Sequence, residues 1–138
     1  HDGLRPIIFH RQFNLIPSLS VADNLAFQAR IAARCDNAWL AELAGRLGLA
    51  DLLARYPEQL SGGQQQRVAI GRALAVKPAL VLADEPTGNL DEASADEVVA
   101  LARDLIRTTG CAFLMVTHSE RLAATFDRRV HLSAGRLA

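Results

Sequence analysis

The octapeptide LSGGQQQR, residues 60–67, is the most informative stretch of this 138-residue sequence. Ser61 followed three residues later by Gln64 is a capping box, which predicts that a helix begins here. A helix start does not require Gly62 and Gly63, which cost about 1 kcal/mol each in helix propensity. The two glycines do expose backbone N–H groups at the positive end of the helix dipole, beside the Ser61 hydroxyl. We therefore expect these four residues to contact a phosphate group.

The second informative stretch is LVLADEP, residues 80–86. Its apolar part predicts a buried strand, which ends in two adjacent carboxylates, Asp84 and Glu85. Acidic side chains at the end of a buried strand are costly unless they cap a turn, pair with arginine or serve a site. Since the chain turns at Pro86, both carboxylates can be directed into one site.

Apolar spacing, caps and breaker residues predict the remaining elements. The predicted strands cover residues 7–9, 79–83, 112–116 and 129–132, and the predicted helices cover 21–34, 38–47, 61–76, 92–107 and 119–126. Strands that alternate with helices predict an α/β fold with a mostly parallel sheet and ligands at its carboxyl edge. We expect residues 18–76 to form a helical subdomain and residues 77–138 to belong to the sheet core.

The composition argues against several classes of protein. Lys plus Arg number 15 and Asp plus Glu number 15, so no excess positive charge favours binding to nucleic acid. Cys35 and Cys111 have no metal-ligand spacing, which favours a reducing cytoplasm over a disulfide framework or a zinc site. No apolar run reaches the ~20 residues that cross a bilayer, so any membrane role must come through a partner.

LSGGQQQR resembles the signature sequence of the ATP-binding-cassette (ABC) ATPases. The resemblance implies an ATP-binding and ATP-hydrolysing subunit of an ABC transporter, an ABC-type P-loop NTPase that couples hydrolysis of Mg²⁺–ATP to transport. It also implies transmembrane permease subunits as partners, and a second ATPase subunit whose ATP contacts Ser61, Gly62, Gly63 and Gln64 in a dimer. Such a subunit is peripheral, on the cytoplasmic side of the inner membrane.

Three further segments are similar to motifs of the same family. LVLADEP resembles a Walker B strand, in which Asp84 holds Mg²⁺ through a water and Glu85 acts as the base for the attacking water. TGNLD, residues 87–91, resembles the D-loop, which implies that Asp91 lies near the partner's nucleotide; Asp91 is also a fair helix N-cap. His118, which follows the strand 112–116, matches the switch histidine that contacts the γ-phosphate, although a lone histidine also suits an ordinary strand end.

The Q-loop is the least regular match to the family. Its glutamine contacts metal and nucleotide in relatives, and Gln12 is the candidate here. Counting back from Phe13 places Arg11 in the glutamine position, whereas counting forward from Phe9 places His10 there, so Gln12 is one residue away in both cases. A local insertion restores Gln12.

The sequence contains no G-x-x-x-x-G-K-[ST] loop and no Gly-Lys pair. That loop, the Walker A loop, supplies the backbone cradle and the lysine that hold the β- and γ-phosphates. We therefore expect an N-terminally truncated cassette that starts at His1, has an unpaired sheet edge and is inactive by itself.

The segment ADEPTGNLD, residues 83–91, is most similar to the branch of the family that serves lipoprotein release, macrolide export and cell division. A soluble ABC ATPase of DNA repair or translation is the main alternative. Coiled-coil insertions, tandem cassettes or basic surfaces are usual in that class, whereas this chain has a short helical region and no net charge. A non-catalytic product of a truncated gene is a third reading.

Overall fold

A computed structural model describes residues 7–10, 15–85, 87–88, 90–130, 132–133 and 136–137. Side chains are described for residues 15–85, 87–88 and 90–130. The elements in chain order are β1 (Ile7–His10), α1 (Val21–Ile31), α2 (Asn37–Arg46), two 3₁₀ turns (Ala50–Leu52 and Pro57–Gln59), α3 (Gly62–Ala75), β2 (Leu80–Asp84), α4 (Glu92–Thr109), β3 (Ala112–Val116), α5 (Glu120–Ala123), β4 (Leu132–Ser133) and β5 (Arg136–Leu137). The chain therefore has the predicted α/β organisation.

Strands β1, β2 and β3 form a parallel sheet with β2 in the centre. His10 at the end of β1 is in register with Asp84, and Asp84 is in register with Val116 at the end of β3. The three carboxyl ends therefore meet at one edge of the sheet. Among the described strands, β3 pairs with β2 alone, and its side chains Leu114 and Val116 are 57% and 54% exposed.

Helix α3 packs closely against α1 because Gly71 leaves room at the contact. A Cβ atom built on Gly71 would lie 2.5 Å from Cδ2 of Leu25 and 2.9 Å from Cδ1 of Leu47. The indole N–H of buried Trp39 on α2 donates a hydrogen bond of 3.0 Å to the carbonyl oxygen of Leu74. These contacts unite the three helices that follow β1.

One hydrophobic core connects the three helices to the sheet. It joins Leu25 and Leu43 to Val81 on β2 and to Val98 and Leu105 on α4. Gly110 ends α4 in the left-handed conformation, with φ of 73°, which glycine adopts without steric cost. The core therefore packs α3 and α4 against each other and against the sheet.

Several predicted boundaries are wrong at the ends. Helix α1 stops at Ile31, not at residue 34, because Ala33 takes the left-handed conformation with φ of 55°. Helix α5 covers Glu120–Ala123 instead of 119–126, because Thr125 and Phe126 form i→i−3 hydrogen bonds to Leu122 and Ala123.

The last predicted strand, 129–132, is wrong at residues 129 and 130, whereas residue 131 lies outside the described residues and Leu132 is in a strand. Leu132–Ser133 pairs antiparallel with Arg136–Leu137 as a two-stranded sheet separate from the parallel one. The short apolar alternation around Val130 resembled a strand, but the described residues 129 and 130 make no ladder pairing.

In the part of the chain that the structure describes, no helix combines the length and apolar character of a membrane span. Cys35 and Cys111 are both free thiols.

Candidate functional site

The carboxyl edge of the parallel sheet brings together Asp84, Glu85 and His118. Asp84 is the last residue of β2, Glu85 follows it, and His118 comes two residues after the end of β3. Adjacent parallel strands end at the same edge, so residues far apart in sequence converge there.

Glu85 is held by its backbone as well as by its side chain. Its φ of 50° places it in the left-handed region, which costs a non-glycine residue about 1 kcal/mol or more. Its N–H donates a hydrogen bond of 2.8 Å to the carbonyl oxygen of Val116, and its own carbonyl oxygen accepts one of 3.1 Å from the N–H of Gly88. The main chain around Glu85 is thus tied to both β3 and the following turn.

The Glu85 carboxylate also contacts His118. Its Oε1 accepts a hydrogen bond of 2.6 Å from the backbone N–H of His118 and lies 3.6 Å from Nε2 of the imidazole. The second distance is beyond hydrogen-bond range, so the backbone amide is the anchor. The Glu85 side chain is 12% exposed and that of His118 is 93% exposed. A fixed carboxylate beside an exposed imidazole can orient a water molecule and contact a ligand above the sheet edge.

Asp84 is exposed at the same edge. A carboxylate oxygen is a suitable Mg²⁺ ligand, because Mg²⁺ in nucleotide sites binds one or two carboxylates and completes its shell with waters and phosphate oxygens. Among the described residues, no group of three or more His, Cys, Asp and Glu side chains is arranged to hold a metal. The exposed carboxylate of Asp84 is thus of the chemical type that binds Mg²⁺.

The residues of the LSGGQQQR stretch form a second group, at the start of α3. Ser61 is the N-cap: its Oγ accepts a hydrogen bond of 3.2 Å from the N–H of Gln64, and Gln64 Oε1 accepts one of 2.9 Å from the N–H of Ser61. The predicted capping box is confirmed.

The fold of the chain does not require glycine at position 63. Gly63 is not among the glycines with positive φ. A Cβ atom on Gly63 would meet only Cβ of Ser94, at 3.9 Å, which is an ordinary van der Waals distance. Packing therefore explains Gly71 but leaves Gly63 unexplained.

Asp91 belongs to this second group through Ser94. Asp91 caps α4, and its Oδ1 accepts a hydrogen bond of 3.1 Å from the N–H of Ser94. Hydrogen bonds from the hydroxyl and then from the N–H of Ser94 lower the pKa of the Asp91 carboxyl below its ordinary value. The capping role of Asp91 is confirmed, and Ser94 places this cap next to Gly63.

Gln12, the candidate for the Q-loop glutamine, lies outside the described residues, as do Arg11, Pro86 and Asn89. His10 is described in its backbone alone, in register with Asp84. The segment that carries these Q-loop candidates therefore starts at the same sheet edge as Asp84.

Sequence reasoning missed Asn24, which is fully buried. Its Oδ1 accepts a hydrogen bond of 2.8 Å from the N–H of Ile16. Its amide group donates to the carbonyl oxygens of Ile16, Leu19 and Ser20 at 3.0–3.1 Å. These hydrogen bonds of Asn24 stabilise the turn that leads into α1. A polar residue on the apolar stripe of α1, between Val21 and Leu25, was the available signal.

These features define the α/β fold of an ABC-type P-loop NTPase. The chain belongs to the ABC transporter family, whose sequence profile matches residues 5–88.

Individual relatives match over a longer stretch. The lipoprotein-releasing system ATP-binding protein LolD of Shewanella denitrificans is 48% identical over 94% of this chain, and that of Anaeromyxobacter dehalogenans is 51% identical over 96%. An uncharacterized ABC transporter ATP-binding protein of Mycobacterium tuberculosis is 46% identical over 91% of the chain. The chain spans 52 to 58% of the length of these relatives.

Proposed function

We propose that this chain supplies part of the ATP-hydrolysing machinery of an ABC transporter, with its LSGGQQQR helix start acting on a nucleotide held by a second ATPase subunit. The observation that carries the proposal is Gly63. The glycine weakens the first turn of α3, yet neither backbone conformation nor internal packing requires it. A close approach by a ligand from outside the chain is the remaining reason to keep the side chain absent.

The residues around Gly63 suit the terminal phosphate of ATP. Gly62 and Gly63 leave the first amides of α3 partly open to solvent, and the Ser61 hydroxyl lies at the cap. Helix N-termini bind phosphates through such amides and through the helix dipole. Gln64 stabilises the cap by accepting a hydrogen bond from the N–H of Ser61, and its side chain lies at the edge of the proposed phosphate site. Asp91 lies at the start of the neighbouring helix and can contact the same nucleotide.

The sheet edge supplies the chemistry in this proposal. Bound Mg²⁺ would neutralise phosphate charge, and Asp84 would hold the ion through a coordinated water molecule. Glu85 accepts a proton from the attacking water, and His118 contacts the γ-phosphate. The nearly buried carboxylate of Glu85 and the exposed imidazole of His118 suit these two roles. Gln12 is the proposed Q-loop residue.

The proposed partners are transmembrane permease subunits and a second ATPase subunit, without nucleic acid. The support is the resemblance to ATP-binding proteins of lipoprotein-releasing systems, at 45 to 51% identity. On this basis the protein is peripheral on the cytoplasmic side of the inner membrane, and its branch is that of lipoprotein release.

The test replaces two glycines at which an added Cβ atom would clash with nothing. An added Cβ meets nothing within 4 Å at Gly45 on α2, and only Ser94 at 3.9 Å at Gly63. The test uses the intact protein, by which we mean the longer ATPase subunit that this chain is proposed to belong to. In it, Gly63→Ala and Gly45→Ala should both fold and should gain up to about 1 kcal/mol of stability from helix propensity. ATP hydrolysis should fall at least ~10-fold for Gly63→Ala alone, which corresponds to about 1.4 kcal/mol of transition-state stabilisation. Equal hydrolysis by the two variants contradicts the proposal.

The 138-residue chain should not turn over ATP when purified by itself, because its sequence contains no Gly-Lys pair to hold the β- and γ-phosphates. Phosphate release that tracks the purified chain and disappears in Glu85→Gln contradicts this expectation.

A further inference from the structure

Arg67, the last residue of LSGGQQQR, crosses from α3 to α4. Its Nη2 forms an ion pair with Oε1 of Glu97. The Arg67 side chain is 19% exposed, and its Nε is buried without a hydrogen-bond partner among the described residues. The guanidinium also passes Gly48, where a Cβ atom would lie 3.7 Å from Nη1. An arginine in this position is a mostly buried cation whose charge is directed at one carboxylate.

A second contact joins α3 and α4 one turn before the ion pair. Gly63 faces Ser94, and one turn further along, Arg67 faces Glu97. Helices α3 and α4 therefore start at the same end and run side by side. The start of α3 carries the candidate phosphate-binding amides, and the start of α4 is capped by Asp91.

We propose that Arg67 and Glu97 are positioning residues that hold the start of α3 in register with Asp91, so that both approach a partner's nucleotide as one rigid surface. This inference rests on the proposed function. Neither side chain touches the nucleotide; the pair acts through the two helix starts. Loss of either charge leaves the packing of α3 on α1 intact but frees the α3 start to shift along α4.

An ion pair with one mostly buried partner is expected to matter more than the surface pairs of this chain. Exposed pairs contribute little, because solvent screens them and both side chains lose freedom. Removing Glu97 leaves a largely buried guanidinium without its counter-charge, whereas removing Asp104 disturbs only a contact of 3.9 Å with exposed Arg107. Asp104 lies on the same helix, so Asp104→Asn is a matched control for Glu97→Gln.

The experiment compares Arg67→Met, Glu97→Gln, Asp104→Asn and the charge swap Arg67→Glu with Glu97→Arg, all in the intact protein. The measurements are kcat for ATP hydrolysis, ATP affinity at a concentration that keeps the protein monomeric, and ATP-driven dimerisation. Arg67→Met and Glu97→Gln should each lower kcat and dimerisation about 5- to 20-fold, as expected for coupling between contacting residues. Monomer ATP affinity and the hydrolysis of Asp104→Asn should not change.

The charge swap should recover at least half of the lost kcat, which effects of the two residues that are independent of each other do not predict. Unchanged kcat in both single variants overturns the inference, and so does a swap that is no better than the weaker single variant. The inference is also overturned if the single variants lose ATP affinity as monomers to the same extent as they lose kcat. Failure of the proposed function is separate, because it appears as full hydrolysis in Gly63→Ala.

Discussion

The backbone N–H of His118 donates a hydrogen bond of 2.6 Å to Oε1 of Glu85, which joins the end of β3 to the residue that follows β2. The bond uses the amide of His118 and not its imidazole, which is 93% exposed. The carboxylate is thus oriented by the neighbouring strand, independently of the histidine side chain. The two residues can therefore be tested separately.

Glu85→Gln in the intact protein should lower kcat about 10²- to 10⁴-fold, the usual contribution of a general base. The fold should persist, because the glutamine amide oxygen can still accept the hydrogen bond from the His118 N–H. ATP turnover and thermal unfolding measure the two effects. The matched control is Glu120→Gln, which removes an exposed carboxylate on α5 and should leave turnover unchanged. Wild-type turnover by Glu85→Gln would exclude it as the base.

His118→Ala should reduce hydrolysis at least ~10-fold, if the imidazole contacts the transferred phosphate. The melting temperature should stay close to that of wild type, because the exposed ring makes little packing contact and the amide bond to Glu85 remains. A large drop in melting temperature would show that the histidine is mainly structural.

Gly71→Ala should destabilise the protein by about 1–3 kcal/mol, since the new methyl group overlaps Leu25 and Leu47. Chemical denaturation of the purified protein measures the change in the free energy of unfolding. Gly45→Ala is the control, because its Cβ meets nothing within 4 Å and should increase stability. Equal stability of the two variants would mean that α1 and α3 pack less closely than described.

Asn24→Leu should destabilise the protein by about 2–4 kcal/mol, because it removes the buried partner of the Ile16 N–H and of the Leu19 carbonyl oxygen. Exchange of the Ile16 amide with solvent should accelerate by more than tenfold, as measured by hydrogen–deuterium exchange. Asp23→Asn, which breaks an exposed ion pair with Arg30 on the same helix, should change stability by less than about 0.5 kcal/mol. Unchanged exchange at Ile16 in Asn24→Leu would contradict the anchoring role.

The carboxyl of Asp91 should titrate below its ordinary pKa of 3.8, because the Ser94 hydroxyl and N–H stabilise the carboxylate. A lowered pKa in the folded state makes a stabilising contribution that is fully present above the ordinary value of 3.8 and is lost as the pH falls through the lowered pKa. Ser94→Ala should raise the pKa of Asp91 towards 3.8 in an NMR titration. An Asp91 pKa that is the same with and without the Ser94 hydroxyl would refute this cause.

Local pattern was sufficient for the centres of the elements and for both helix caps at the site. Ser61 and Gln64 are three residues apart, and so are Asp91 and Ser94, so short-range spacing determines these hydrogen bonds. The alternation of strands and helices predicted the parallel sheet, and with it the shared edge of Asp84 and His118. The ends of α1 and α5 were mispredicted because left-handed and 3₁₀-type geometry after a helix leaves little trace in an apolar pattern.

The sequence by itself determined which residues are the candidates for the chemistry, because LSGGQQQR and the paired carboxylates after β2 are local patterns with a local physical reason. Only the tertiary structure decided how they are held. The left-handed turn at Glu85, the buried anchor Asn24 and the Arg67–Glu97 pair depend on contacts between residues 8 to 33 positions apart. Such contacts arise from packing elements together, and periodicity along the chain does not identify the partner residues.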